Sequence, residues 1–389
     1  MTEHTAPTPL PLSLLDLALV RDGAPMGEAF AESVEQARVA EAAGFRRVWY
    51  AEHHNMPSIA SSATAVLIAH VAAHTDSIRL GSGGVMLPNH SPLVIAEQFG
   101  TLAELHPGRI DLGLGRAPGT DQRTLQALRR DPSAAERFPQ DVLELQGYLT
   151  GQSLIPGIDA YPGKGTNVPL YILGSSAFGA QLAAQLGLGY AFASHFAPQM
   201  LEHAARLYRE HFEPSEALAE PHFIAAANVI AADTEEVAER EWQAAQRARI
   251  RMMLGRGRTL TDDEVEMLLH SPAGQQVLGM LECTAVGTGP TTAAWLHDFA
   301  ARVQAAASAV SSGWLPATRN QRGQRFHIRN CARASASMAW LGATWMVLAR
   351  QSAPRKASPR ARAFSSMARS PAWSARASVG NSSRPKKGR

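Results

Sequence analysis

Cysteine is nearly absent from this 389-residue chain: Cys283 and Cys331 are the two. A pair so far apart builds no disulfide framework and no metal-ligand spacing, so the chain reads as cytoplasmic, a protein of a reducing compartment. Long apolar runs are missing too. No stretch reaches the ~18–20 residues of a membrane span, and the Met1-Thr2-Glu3-His4-Thr5 start has none of the apolar core of a secretory leader. A nucleotide-binding GxGxxG is also lacking. Acid disappears toward the end of the chain. Between Ser311 and Arg389 there are 16 Lys+Arg and no Asp or Glu, which leaves 21 basic and 34 acidic residues before it. The front therefore has the balance of an acidic enzyme, and 45% hydrophobic content suits a sizeable core.

What is present centres on Arg47-Val48-Trp49-Tyr50-Ala51-Glu52-His53-His54-Asn55. It reads as a buried strand running out into a polar loop that carries a carboxylate and two imidazoles. Helical spacing precedes it over Glu28–Ala43 and follows it over Ala63–Ala73. The alternation continues through strands Ile78–Val85, Ile110–Arg116, Pro169–Leu173, Tyr190–Phe192 and Ile224–Ala231, with a first strand over Leu12–Val20. Helices are expected over Leu93–Leu105, Phe138–Leu149, Ala177–Leu186, Gln199–Phe212 and Thr234–Arg256. Val286-Gly287-Thr288-Gly289-Pro290 reads as a loop before a last helix ending near Val303. This is the grammar of a parallel α/β fold with seven strand–helix units, and the eighth strand expected after Val303 is not found. In such folds ligands gather at the carboxyl ends of the strands.

Four of those strands carry chemistry at or near their exits. A His-His pair in a loop is ordinarily solvent-facing; at a strand's carboxyl end, imidazole suits proton transfer near neutral pH. Zinc is the competing reading of Glu52, His53 and His54, and it fails for want of third and fourth ligands at metal spacing. Gly81–Gly84 reads as a bulge, or as bare backbone against which a flat ring can lie. Arg116 follows a strand, where a guanidinium suits phosphate or a carbonyl-rich ring. Gly174-Ser175-Ser176 ends one strand and opens a helix, giving either an ordinary serine cap or an anion site.

Taken together, AEHHNMP (Ala51–Pro57), GSGGVMLPNHSP (Gly81–Pro92), PGRIDLGLGRAPGTDQ (Pro107–Gln122) and LYILGSSAFGAQLAAQLGL (Leu170–Leu188) resemble the luciferase-like flavin monooxygenases. Within that family the chain is similar to the MsnO8-like branch, over about Leu10 to Arg302. The resemblance implies a (β/α)8 TIM-type barrel that binds reduced FMN at the strand ends and oxygenates a small organic substrate with O2 through a flavin C4a-(hydro)peroxide. By motif, His53 matches the acid–base histidine, with Glu52 beside it in the flavin-contacting loop. Gly83 and Gly84 match a pair joined by a non-prolyl cis peptide under the ring, and Arg116 a flavin-phosphate arginine. Gly174, Ser175 and Ser176 match the phosphate loop, although luciferase has a carboxylate where Ser175 stands. Gly115 stands where luciferase has a reactive cysteine, which speaks against light emission. No metal is implied. A separate flavin reductase and a homodimer are the expected partners, with no specific nucleic acid and no membrane. Two alternatives stay open: hydride transfer with the deazaflavin F420 on the same barrel, and flavin binding without turnover.

The resemblance covers a barrel domain, residues 1–310. Residues 311–389 form an Arg/Ser/Ala-rich tail that holds neither helical nor strand period for long and is expected to be disordered. The total loss of acid, at the point where the family pattern stops, reads as the out-of-frame product of a shift near Ala301–Ser308.

Overall fold

The structure, a computed structural model, describes residues 10–21, 23–117, 120–255 and 258–303, together with the backbone of 307–311 and 344–348. The chain divides into two compact units, Met1–Arg350 and Gln351–Arg389, and only the first contains described residues.

Eight parallel strands follow one another around that unit: β1 (Leu12–Asp16), β2 (Arg47–Tyr50), β3 (Arg79–Met86), β4 (Ile110–Gly115), β5 (Leu170–Gly174), β6 (Gly189–Phe192), β7 (Phe223–Ala232) and β8 (Thr284–Thr288). The expected (β/α)8 TIM-type order is present, with helices between successive strands. They are α1 (Met26–Ala42), α2 (Thr64–Ala72), α3 (Pro92–Leu105), α4 (Gln122–Ala127), α5 (Phe138–Thr150), α6 (Ala177–Gln185), α7 (Leu201–Glu210), α8 (Glu235–Leu254), α9 (Asp262–Leu269), α10 (Pro272–Gly279) and α11 (Gly289–Arg302).

The local causes are visible. Helix α1 buries Ala29, Ser33, Val34, Ala37 and Ala40, one stripe at helical spacing. Gly151 closes α5 in the left-handed region, φ 80°, where a side chain would be strained. The Thr234 hydroxyl caps α8, and Thr261 with Glu264 forms a reciprocal capping box at α9. That T-D-D-E signal was legible, yet α9 and α10 are not among the expected helices. Strand β1 stops at Asp16, short of Val20, because the Asp16 carboxylate takes the Ala18 N–H and turns the chain there, with Ala18 at φ 48°.

Side chains alternate along each strand. Val48, Tyr50, Leu80, Leu112, Leu114 and Ile172 face the helices in the larger core, whereas Leu15, Trp49, Ala51, Ala191, Ile224 and Ala226 fill the barrel's inside.

Two expectations about closure are corrected. The Val286–Pro290 loop is partly strand: β8 pairs with the carboxyl half of the long β7, Asn228↔Thr284 to Ala232↔Thr288. The chain also supplies a strand after Val303. Strand β9 (Ala307–Ser311) runs parallel to both β7 and β1, at Ile224↔Ala307 and Leu12↔Ser308. Strand β10 (Thr344–Leu348) lies antiparallel to β1 and β9. The edges of β1 and β7 are therefore paired. Alanine is a poor strand former, so the run gave no sequence signal; two unfilled sheet edges supply the partners. The eighth strand–helix unit, expected to be missing, is β8 with α11, and β9 is a further strand with no helix after it among the described residues. The rest of the expected tail lies outside the described residues. Among them, no helix is long and apolar enough to cross a membrane.

Candidate functional site at the carboxyl rim of the barrel

The loop after β2 is pinned before it does any chemistry. Ala51 N–H donates to the Asp16 carbonyl at 3.1 Å, Glu52 N–H to the Gly84 carbonyl at 3.3 Å, and the Ser61 hydroxyl to the Ala51 carbonyl. Further along, Ala60 N–H reaches the Ala18 carbonyl at 3.0 Å. This seats Glu52 between the exits of β2 and β3.

Only 1% of Glu52 is exposed, and its carboxylate accepts from Met86 N–H (3.0 Å), His54 Nε2 (2.7 Å) and His90 Nε2 (2.8 Å). Burial alone would push this acid up. The hydrogen bonds from His54 and His90, the charge of His90 and the Met86 N–H outweigh burial and hold it at about 2. An ionised carboxylate only accepts, so both histidines donate from Nε2. In return the Glu52 hydrogen bond raises the pKa of His54. His53 is half-buried beside this network, and none of the Glu52 contacts just named goes to it.

His90 is the member that spacing could not reveal. It lies 38 residues beyond Glu52 and arrives because adjacent parallel strands release their loops side by side. It also corrects the argument against zinc: Glu52, His54 and His90 hold ligand atoms within 4.8 Å of one another, so a third ligand does exist. Here two donors and one acceptor satisfy each other.

Gly83 and Gly84 sit in β3 and are joined by the cis peptide that the resemblance implies. Their lack of side chains is accounted for by neighbours. A Cβ on Gly83 would meet Leu15 Cδ1 at 2.6 Å and Trp49 Cβ at 3.0 Å; one on Gly84 would meet the Gly113 carbonyl at 2.7 Å. The strand register also shifts between Ser82 and Val85, so the bulge reading holds.

Arg116 leaves the end of β4 and lays its guanidinium 4.1 Å from the ring centroid of Phe178, in the first turn of α6. It has no ion pair among the described residues. Ser176 stands at the cap position of α6 with extended backbone, φ −146° and ψ 168°, but its side chain makes no capping bond. The ordinary serine cap is thus not realised. The Tyr190 hydroxyl donates to the Ser176 carbonyl at 3.0 Å and Ala193 N–H to the Gly174 carbonyl at 2.9 Å, which fixes the loop from behind. Arg116, Gly174, Ser175 and Ser176 therefore meet at one place, as read from sequence; Phe178, which carries the arginine, was not foreseen. An unpaired guanidinium beside an uncapped helix N-terminus is an anion cradle.

Fold and rim together define an α/β barrel enzyme scaffold with a carboxylate–histidine loop at the β2 and β3 exits and an anion cradle at the β4 and β5 exits. The family model for luciferase-like monooxygenases matches residues 12–306, and the chain belongs to that family. A luciferase-like monooxygenase of Escherichia coli (strain K12) is 54% identical over 256 residues, 66% of this chain and 75% of that protein. The N-acetyl-S-alkylcysteine monooxygenase of Bacillus subtilis (strain 168) is 36% identical over 260 residues, 64% of this chain and 75% of its own. The solved structure of apo-MsnO8 matches with a TM-score of 0.68 at 34% identity, covering 76% of this chain and 91% of that one.

Proposed function

We propose that the protein is a flavin-dependent monooxygenase that takes reduced FMN from a separate reductase and uses O2 to oxygenate a small organic substrate. The observation that carries this is the cradle: among the described residues Arg116 has no ion pair and stacks on Phe178, and the Ser176 hydroxyl is not spent as a cap. These residues fit the FMN phosphate, with Ser175 and the Gly174 backbone completing the contact. When bound, the flavin supplies the oxygen-activating chemistry. The chain's own residues hold and orient it, and His53 moves a proton at the exit of β2 while Glu52 fixes the loop through His54 and His90.

The test is titration of the purified chain with FMN and, in parallel, with F420. FMN is expected to bind, and Arg116→Ala to weaken it by ~1.5–3 kcal/mol, the scale of a lost charged hydrogen bond. Preference for F420 would move the reading to hydride transfer. FMN binding without substrate-dependent O2 uptake would make the protein a flavin binder. Unchanged FMN affinity in the variant would remove Arg116 from the site.

A further inference from the structure

Three side chains at the exits of β2 and β3 carry the donor atoms that a metal ion takes. Glu52 Oε1 lies 2.7 Å from His54 Nε2 and 2.8 Å from His90 Nε2, and the three residues hold their ligand atoms within 4.8 Å of one another. Among the described residues no other His, Cys, Asp or Glu side chains gather three ligand atoms so closely. The second carboxylate oxygen, Oε2, accepts from Met86 N–H at 3.0 Å and from His90 Nε2, also at 3.0 Å. A backbone bond to one oxygen fixes the direction in which the other is presented, the kind of support that metal-binding carboxylates have.

The chain beside each histidine is anchored as well. The His54 carbonyl accepts from the Thr120 hydroxyl at 3.3 Å, and His90 N–H donates to the Leu87 carbonyl at 2.9 Å. Arg130 Nε holds the neighbouring Asn89 carbonyl at 2.9 Å. The side chains of His54 and His90 are 18% and 29% exposed, against 1% for Glu52. Solvent therefore reaches both rings, while the carboxylate is enclosed.

Each imidazole now spends an Nε2 proton on the carboxylate. Ligand atoms bound to one ion at ~2.0–2.1 Å stand ~3.4 Å apart, so the rings must withdraw by roughly 0.6 Å to admit it. Rings partly in solvent are free to turn that far. Each then gives its Nε2 lone pair to the ion, and the displaced proton goes to Nδ1 or to water.

We propose that Glu52, His54 and His90 form a binding site for one zinc ion, which ties the exits of β2 and β3 together and leaves a fourth position to water. Two imidazoles and a carboxylate suit a borderline divalent ion, whereas magnesium and calcium take oxygen ligands. His53 is not one of the three. The site stands on the protein alone and does not depend on the monooxygenase reading.

The experiment titrates zinc chloride calorimetrically into the full chain, stripped of metal and without flavin, and repeats the titration with cobalt(II), read by its visible absorption. One ion per chain is expected, with a raised melting temperature. His90→Ala and Glu52→Gln should each weaken zinc at least about 100-fold and remove the cobalt band, because losing a ligand exceeds the 10–100-fold cost of disturbing the support behind one. Circular dichroism checks the fold of each variant, and His90→Ala, at a part-exposed ring, carries the test if Glu52→Gln does not fold. The rival is the exposed pair His70 and His74, whose ring centroids are 4.6 Å apart. Replacing both by alanine should leave zinc affinity unchanged. The proposal is overturned if the parent binds no zinc, if either folded site variant binds it as the parent does, or if the His70 and His74 replacement abolishes binding. Magnesium bound as tightly as zinc overturns it too, since the imidazoles would then not be ligands. Failure of FMN binding or O2 uptake bears on the monooxygenase reading alone.

Discussion

Charge stands at both ends of this barrel, but only one end leaves a cation without a carboxylate among the described residues. At the amino end, Arg47 and Asp111 are 1% and 0% exposed and 2.9 Å apart, and Arg79 reaches the other oxygen of the same carboxylate at 2.5 Å. Trp49 Nε1–H adds a bond to Asp111 at 3.2 Å, and the Arg47 guanidinium lies 5.4 Å and 5.2 Å from the ring centroids of Trp49 and Tyr171. Burial works against the Arg47 charge, yet Asp111 outweighs it and the pKa rises. His222, at the same end, is pushed down to about 4 by burial and by Arg47, so it adds no further cation. At the carboxyl end, exposed Arg116 has no carboxylate among the described residues, while the buried acids there are taken: Asp16 by the Ser33 hydroxyl and Ala18 N–H, Glu52 by two histidines. The amino end sets its charges against one another; the rim keeps a charge in reserve. That contrast separates structural from functional charge better than burial does.

The largest expected effect breaks the frame on which both ends depend. Deleting residues 304–389 removes the strands that pair the edges of β1 and β7 and should shift the parent's size-exclusion peak to aggregate. Deleting only residues 351–389 should leave the parent's peak intact. If both truncations behave alike, β9 and β10 do not close the barrel.

Next is the amino end itself. Asp111→Asn leaves Arg47 and Arg79 without their shared counter-charge and should cost ~3–5 kcal/mol of unfolding free energy in urea, the scale for breaking a buried ion pair. A cost below about 1 kcal/mol would dissolve the contrast between the two ends.

His53→Ala reverses the pattern. Turnover should fall ~10²–10⁴-fold, the range for losing a general acid–base group, with unfolding stability changed by less than about 0.5 kcal/mol. His54→Ala should do less to turnover. The opposite ranking would exchange their roles.

The smallest effect concerns pH. Glu52 has its pKa lowered from 4.5 to about 2, so its contribution is complete above pH 4.5 and is lost as pH falls toward 2. His54 is raised above 6.5, so its share is complete below that and fades as pH rises through the folded value. The parent should therefore exceed Glu52→Gln by the most between pH 4.5 and 6.5, by about 2 kcal/mol. A difference that is flat across pH would mean that the carboxylate charge plays no part.

Much of this was legible in one dimension. The alternation of β-branched runs with amphipathic Ala/Glu segments set the barrel order, because strand and helix periods are local properties of the chain. The polar exits after Tyr50, Gly115 and Gly174 were readable because a parallel fold sends every strand's carboxyl end to the same side, and the family motifs sit on those exits. What escaped reading depended on partners. Thr284–Thr288 looks like a turn from its glycines and is a strand because the long β7 offers it an edge. The alanine-rich run after Val303 pairs for the same reason. His90 joins Glu52 and Phe178 carries Arg116 only when helices and loops far apart in sequence are packed around one rim. Spacing along the chain records local geometry; whether a charge finds a counter-charge is decided by everything folded around it, and that only the tertiary structure determines.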